Sequence, residues 1–305
     1  MKQKIFFLVG PTGIGKSRIA INLALKLDAE IISLDSMQVY KGMDIITSKP
    51  SLATRKEIKH HLIDFVSLKD EYNVAAYAKD ALRKIREILK RKRIPLFVGG
   101  TGLYMSILLD GIFKSKAQNK TLRRRLFEEA ARFGNEYLYK RLQKVDAEAA
   151  SRIHPNDTKR LIRALEVFMV CGRPISELQK ERKGLSDRYD VKIICLNMER
   201  DKLYKRIDVR VEEMFKKGLV SEVKKLLTIR LSKTASCAIG IKELKECFAG
   251  SYSLDEAKRL MQKNTRNFAK RQLTWFRKDK RVEWVQVGEE EEPAKVAKKI
   301  FEKLN

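Results

Sequence analysis

The stretch Gly10-Pro11-Thr12-Gly13-Ile14-Gly15-Lys16-Ser17 constrains the fold of this chain more than any other. It comes directly off the apolar run Ile5 to Val9 and leads into a helical pattern, so a strand, a glycine loop and a helix start fall at one place. The spacing is that of a phosphate-binding P-loop. Its glycines let successive backbone N–H groups turn inward on a phosphate, and the helix beginning near Lys16 points its positive end at the same spot. Lys16 adds a full charge, and the Ser17 hydroxyl is placed to take a ligand position on Mg²⁺. The loop alone leaves open whether the phosphate is transferred, hydrolysed or simply leaves.

The pattern around the loop is that of a parallel sheet. Residues 4–10 read as a buried strand and 16–27 as a helix with Ile19, Leu23 and Leu27 on one face. Glu30 to Leu34 reads as a second strand that ends on Asp35-Ser36-Met37-Gln38. In open α/β sheets ligands sit outside the carboxyl ends of the strands, which sets Asp35 to look onto the loop. Residues 41–70 read as loop, with Pro50 and the pair His60-His61. A helix over 73–92 then delivers a third strand, Ile94 to Val98, followed by Gly99-Gly100-Thr101-Gly102. Three strand ends thus converge on one crevice, carrying the P-loop, Asp35 and Thr101.

From about Lys114 the alternation stops, and nothing strand-like returns until Val191 to Leu196. The segment between is helical by pattern, with Arg123-Arg124-Arg125 and Lys159-Arg160-Leu161-Ile162-Arg163 as basic nodes. The expected architecture is therefore α/β, a P-loop NTPase-like parallel sheet core with an inserted all-helical subdomain. Residues 1–114 and 191–305 form the core and 115–190 the insert. In the second part of the core, a helix over 200–217 sets Arg206 and Arg210 one turn apart, and a second helix covers 222–227. Helices over 242–248 and 255–278, an edge strand over 282–287 and a surface helix over 294–304 follow. On the 255–278 helix, Arg266, Lys270 and Arg277 share a face expected to turn toward a polyanion, and Phe268 and Trp275 one expected to turn toward the core.

Charge narrows the partner. The net charge is +27 over 305 residues, more than solubility requires, and points to a polyanion such as nucleic acid. No apolar run approaches the roughly 20 residues that span a bilayer, and the amino-terminal stretch lacks a secretory pattern. Cys171, Cys195, Cys237 and Cys247 show no C-x-x-C spacing, which fits a reducing compartment; the cytoplasm is expected. His60, His61 and His154 lack metal-ligand spacing and read as structural hydrogen-bonders. Asp35, beside bound phosphates, is either a Mg²⁺ partner or a general base for an incoming nucleophile. Thr101 is placed to hydrogen-bond that nucleophile or a phosphate oxygen, and to cap a helix.

The P-loop, Asp35 to Tyr40, Gly99 to Tyr104, His154-Pro155-Asn156-Asp157 with Arg160 and Arg163 to Val167, and Lys270 to Arg277 occur together and in order. With this set, from the first strand to about residue 287, the chain closely resembles the tRNA dimethylallyltransferases. The resemblance implies that the loop Gly10 to Ser17 holds a diphosphate, and that dimethylallyl diphosphate loses pyrophosphate as N6 of the adenine after the anticodon attacks its C1 carbon. It implies that Asp35 receives the N6 proton with Thr101 bonding at the same place. Lys16, the loop amides, Mg²⁺ at Ser17 and Arg210, with Arg206 as the alternative, then stabilise the leaving group. It carries tRNA contact onto Asp35, Ser36, Met37, Gln38, Thr101, Arg123, Lys159, Arg160, Leu161, Ile162, Arg163, the stretch 237–242 with Gly240 and Lys242, and Lys270, Arg271, Gln272 and Arg277. The adenine must leave its stack to react. A cytoplasmic monomer is expected. Two departures stand out: Gly13-Ile14 where relatives more often have Ala-Ser, and Ile241 where Tyr is usual. The rival readings are an adenylate isopentenyltransferase, which has no use for an RNA-binding insert, a P-loop kinase or NTPase, and an RNA-binding protein with a vestigial loop.

Overall fold

The computed structural model describes residues 2–113 and 119–304. It divides into two compact units, Met1–Ile107 with Arg188–Asn305, and Leu108–Asp187. The junction expected at 114/115 lies outside the described residues.

The first unit opens with β1 (Lys4–Val9), α1 (Lys16–Leu27), β2 (Ala29–Leu34), α2 (Leu52–Glu57), β3 (His60–His61), α3 (Val74–Lys90), β4 (Ile94–Gly99) and α4 (Gly102–Asp110), whose residues from Leu108 on belong to the second unit. The loop expected over 41–70 contains α2 and β3. Neither has a readable period: α2 is six residues, capped where the Ser51 side chain accepts the Thr54 N–H, and β3 is two. The second unit holds α5 (Lys120–Phe133), α6 (Asn135–Val145), α7 (Ala147–Arg152), α8 (Thr158–Cys171), α9 (Ile175–Lys180) and the start of α10 (Leu185–Arg188). Leu126, Leu138, Leu142, Leu161 and Leu165 form its core. The chain then returns to the first unit with β5 (Asp190–Asn197), α11 (Arg200–Lys216), α12 (Leu219–Leu227), α13 (Ile241–Phe248), α14 (Leu254–Phe276), β6 (Val282–Gln286) and α15 (Pro293–Leu304).

All strands of the sheet are parallel, in the order β3-β2-β4-β1-β5-β6. Parallel strands need both faces covered. On one face Ile19, Leu23 and Leu27 of α1 join Val296, Ile300 and Leu304 of α15 in a single buried cluster with Phe6 and Leu8 of β1. Each fully buried aliphatic side chain there contributes about 1.5–3 kcal/mol. Register decides what the sheet presents at its upper edge. Val9 pairs with Gly99, and Gly99 pairs with Leu34. The next residues, Gly10, Gly100 and Asp35, therefore leave three adjacent strands at one level. Among the described residues no helix is long and apolar enough to cross a membrane.

Candidate active site

The P-loop closes on its own lysine. Gly15 takes φ +94°, a left-handed torsion that starts α1 without a Cβ penalty. Lys16 Nζ then reaches back to donate to the carbonyls of Gly10 (3.0 Å) and Pro11 (2.7 Å). Burial of that ammonium, reinforced by Arg210 and opposed by Asp35 and Cys195, brings its pKa down to about 8. Ser17 stands exposed in the first turn of α1, while Ile14 is buried beneath the loop.

Beside the loop, the end of β2 is folded into a fixed shape. Asp35 Oδ1 accepts the N–H groups of Met37 (2.8 Å) and Gln38 (3.2 Å), and Thr101 Oγ1 accepts the N–H of Ser36 (3.2 Å). Gln38 meets the Ser33 hydroxyl at 3.2 Å and donates to the Thr47 carbonyl at 3.2 Å. Among the described residues, Asp35 Oδ2 takes no hydrogen bond. Asp35, Lys16, Ser17, Arg206 and Arg210 line a single cleft of about 560 Å³. Burial lowers the Arg210 pKa, and Asp35 is the first charge that opposes it, so Lys16, Asp35 and Arg210 share one field. Arg206 lies against the loop: a Cβ on Gly15 would stand 3.2 Å from its Nη2. Both arginines thus reach the cleft, but Arg210 is the one coupled to Lys16 and Asp35.

Among the described residues no group of three His, Cys, Asp or Glu side chains could hold a metal ion. Mg²⁺ asks for less, taking one or two protein oxygens beside phosphate oxygens and water. The Ser17 hydroxyl, which lines the cleft, fits that donor set. The histidines have other partners. His61 Nε2 is 2.6 Å from Glu30, His60 Nδ1 is 2.6 Å from the Ile58 carbonyl, and His154 Nδ1 accepts the Asn156 N–H.

The residues matched to tRNA contact separate into two groups. Lys159, Arg160, Lys242, Lys270, Arg271 and Arg277 are exposed. Within the second unit, Arg123 and Arg163 donate to the fully buried Glu166 carboxylate at 2.7 and 2.8 Å, each keeping part of its side chain exposed. Leu161 and Ile162, by contrast, point into the core of that unit because α8 turns its apolar stripe inward. Gly240 is buried at φ +110°, where a Cβ would meet Met261 at 2.8 Å, and Ile241 beside it is buried too. Gln272 is turned inward to the P-loop. The stripes expected on α14 are also modified. Arg266 pairs with Asp208 of α11, whereas among the described residues no ion pair holds the exposed Lys270 and Arg277 of that face. Trp275 packs on Gly102 and donates its indole N–H to Ser106 Oγ at 3.2 Å, whereas Phe268 lines the cleft.

Some cleft residues carry no sequence signal. Lys205, Lys217, Thr47 and Ser48 line it, yet belong to no spacing that marks them. Glu222, outside the cleft lining, carries no signal either: its carboxylate accepts the N–H groups of Asp44 (3.1 Å), Ile45 (2.7 Å) and Ile46 (2.9 Å), shaping the turn that leads into Thr47. A lone acid on α12 is indistinguishable from a solvated one until that turn folds over it.

Residues 38–279 match a family model described as IPP transferase. The chain belongs to the IPP transferase family. The matched range begins after the P-loop, but full-length relatives extend the similarity over it. The tRNA dimethylallyltransferase of Geobacter sulfurreducens is 46% identical over 93% of this chain and 92% of its own length. That of Thermotoga maritima is 46% identical over 92% of each. The crystal structure of the full-length tRNA isopentenylpyrophosphate transferase of Bacillus halodurans superposes with a TM-score of 0.72 at 37% identity, covering 99% of this chain and 96% of that one. A eukaryotic dimethylallyltransferase acting on tRNA gives a TM-score of 0.79 at 30% identity, with 93% of this chain and 74% of that one covered. Membership extends to the architecture as well: a P-loop NTPase-like parallel core is what this chain shares with those structures.

Proposed function

We propose that this IPP transferase is a tRNA dimethylallyltransferase, moving the dimethylallyl group of dimethylallyl diphosphate onto N6 of the adenine next to the anticodon, on its 3′ side. The observation that carries this reading is the common level of Gly10, Asp35 and Gly100 at three adjacent strand ends, which brings a diphosphate cradle and a base to one cleft. The N6–C1 bond forms as the C1–O bond breaks, and its electron pair leaves with pyrophosphate. Asp35 takes the N6 proton. Its Oδ1 is tied down by two backbone N–H groups, which leaves Oδ2 to act as the general base. Thr101, anchored to Ser36, bonds at the same place.

Lys16, the loop amides and Arg210 hold the charge that gathers on the departing pyrophosphate, where preorganised donors give most of their effect. Mg²⁺, when bound through Ser17, supplies further Lewis-acid stabilisation to the same oxygens. A monomer acting on the anticodon stem-loop is the simplest assembly for this chemistry. Lys242, Lys270, Arg271 and Arg277 on the first unit, and Lys159 and Arg160 on the second, are exposed cations suited to reading an RNA backbone. They also disfavour an adenylate isopentenyltransferase, whose substrate offers them nothing to bind.

One assay tests the proposal. The protein is incubated with labelled dimethylallyl diphosphate and either unmodified tRNA bearing adenine after the anticodon, or AMP, or ATP. Label is expected in tRNA alone. Labelled AMP, or phosphate release from ATP that depends on Lys16, overturns the reading.

A further inference from the structure

The side chain of Gln272 joins the two halves of this cleft. It sits on α14, 260 residues from the P-loop, and is 7% exposed. Its Oε1 accepts the N–H of Thr12, within the loop, at 2.8 Å, and its Nε2 donates to the carbonyl of Gly100 at 2.9 Å. Only one orientation of the carboxamide satisfies both, since one partner is a donor and the other an acceptor. Gly100 is shaped around it: a Cβ there would stand 2.0 Å from Nε2. The residue after Gly100 is Thr101, whose hydroxyl holds the backbone next to Asp35. One amide thus ties the loop that grips the diphosphate to the strand end that grips the base side.

We infer that Gln272 is a positioning residue of the transfer reaction, setting the distance between the diphosphate loop and the Asp35–Thr101 pair. The inference rests on the function proposed above. A buried amide that merely filled a polar gap would make its bonds anywhere in the scaffold. These two land on the loop and on the peptide beside Thr101. Thr12 N–H is committed to the scaffold and is withheld from phosphate, which leaves the later loop amides and Lys16 for that task. The pairing turns Gln272, which lies between exposed Lys270 and Arg277, inward to the cleft. Displacements of about 1 Å between reacting groups cost on the order of 100-fold in rate, so a tether between the two sides acts on the chemical step and not on RNA binding.

The test uses two substitutions that remove the tether from opposite ends. Gln272→Met keeps the volume and loses both bonds. Gly100→Ala keeps Gln272 but places a Cβ 2.0 Å from its Nε2, which pushes the carboxamide out, and 3.1 Å from the Gly10 carbonyl, which must give by a few tenths of an ångström; residue 100 has no left-handed torsion to forbid a side chain. Single-turnover transfer at saturating dimethylallyl diphosphate and tRNA is measured alongside tRNA affinity and the thermal melt. Both variants are expected to slow transfer by about 30- to 100-fold while tRNA affinity stays within about twofold. If Gln272→Met melts below the assay temperature, Gln272→Glu, which keeps the Oε1 acceptor for Thr12 and loses the donor to Gly100, decides. An active wild type whose folded variants stay within about threefold in rate, or lose only tRNA affinity, overturns the role of Gln272. A wild type that leaves tRNA unlabelled defeats the proposed function instead.

Discussion

The Thr101 hydroxyl accepts the backbone N–H of Ser36 at 3.2 Å, joining the end of β4 to the residue that follows Asp35. The bond runs between the segments that follow the adjacent strands β2 and β4, and it ties the Thr101 hydroxyl to the backbone beside Asp35. The two groups are separable by substitution. Asp35→Asn keeps the Oδ1 acceptor for Met37 and Gln38 but abolishes the base, and is expected to slow single-turnover transfer by about 10²- to 10⁴-fold with tRNA affinity retained. Thr101→Val leaves the Ser36 N–H without its partner, at about 1–3 kcal/mol, and is expected to act on both rate and stability. Wild-type transfer by Asp35→Asn would sink the base assignment.

Lys16 is expected to set an alkaline limit on capture of the proposed diphosphate substrate. With its pKa lowered to about 8, the ammonium is present below that pH in the free protein and is lost above it. Since kcat/KM reports the free enzyme, kcat/KM for dimethylallyl diphosphate is expected to fall as pH rises through about 8. Bound diphosphate favours the protonated form, so kcat declines less steeply. In Lys16→Arg, whose guanidinium stays charged, the alkaline limb in kcat/KM should vanish even though the absolute rate drops. A limb unchanged in that variant assigns it to another group.

Glu30 ties β2 to its neighbours from a position 2% exposed. It accepts from Arg91 Nε and Nη2, both at 2.8 Å, and lies 2.6 Å from His61 Nε2. Burial pushes its carboxyl up, but the hydrogen bonds and charges of Arg91 and His61 outweigh this and hold it down at about 2. A depressed carboxylate contributes stability above its unfolded pKa, near 4.3. That contribution is lost as pH falls from there through about 2. Glu30→Ala, which strands the partly exposed Arg91, is expected to cost about 3 kcal/mol at neutral pH in urea unfolding. The deficit relative to wild type should shrink as pH is lowered through that window.

Residues matched to tRNA contact divide by what they do when truncated. Lys270→Ala or Arg277→Ala is expected to weaken tRNA binding and to reduce the slope of log affinity against log salt by about 1 each. Leu161→Ala, within the core of the helical unit, is expected to cost about 2–5 kcal/mol of stability with the salt slope unchanged. Filter binding across a salt series together with thermal melts separates the two behaviours. A changed salt slope for Leu161→Ala would contradict its inward placement.

Much of the fold was legible in local pattern. The P-loop between an apolar strand and an amphipathic helix, the acid at the end of β2 and the threonine after β4 follow from short-range spacing, because backbone torsions and the inward face of each element are set by neighbours a few residues away. The tertiary structure alone decided which side chains meet across long separations. Gln272 meets Thr12, Glu222 caps the turn at residues 44–46, Arg266 is claimed by Asp208 and Leu161 is claimed by a core. The parallel register that levels Gly10, Asp35 and Gly100 belongs to the same class. A residue's partner depends on how distant elements pack and on which polar groups that packing leaves unsatisfied, and no local period encodes either.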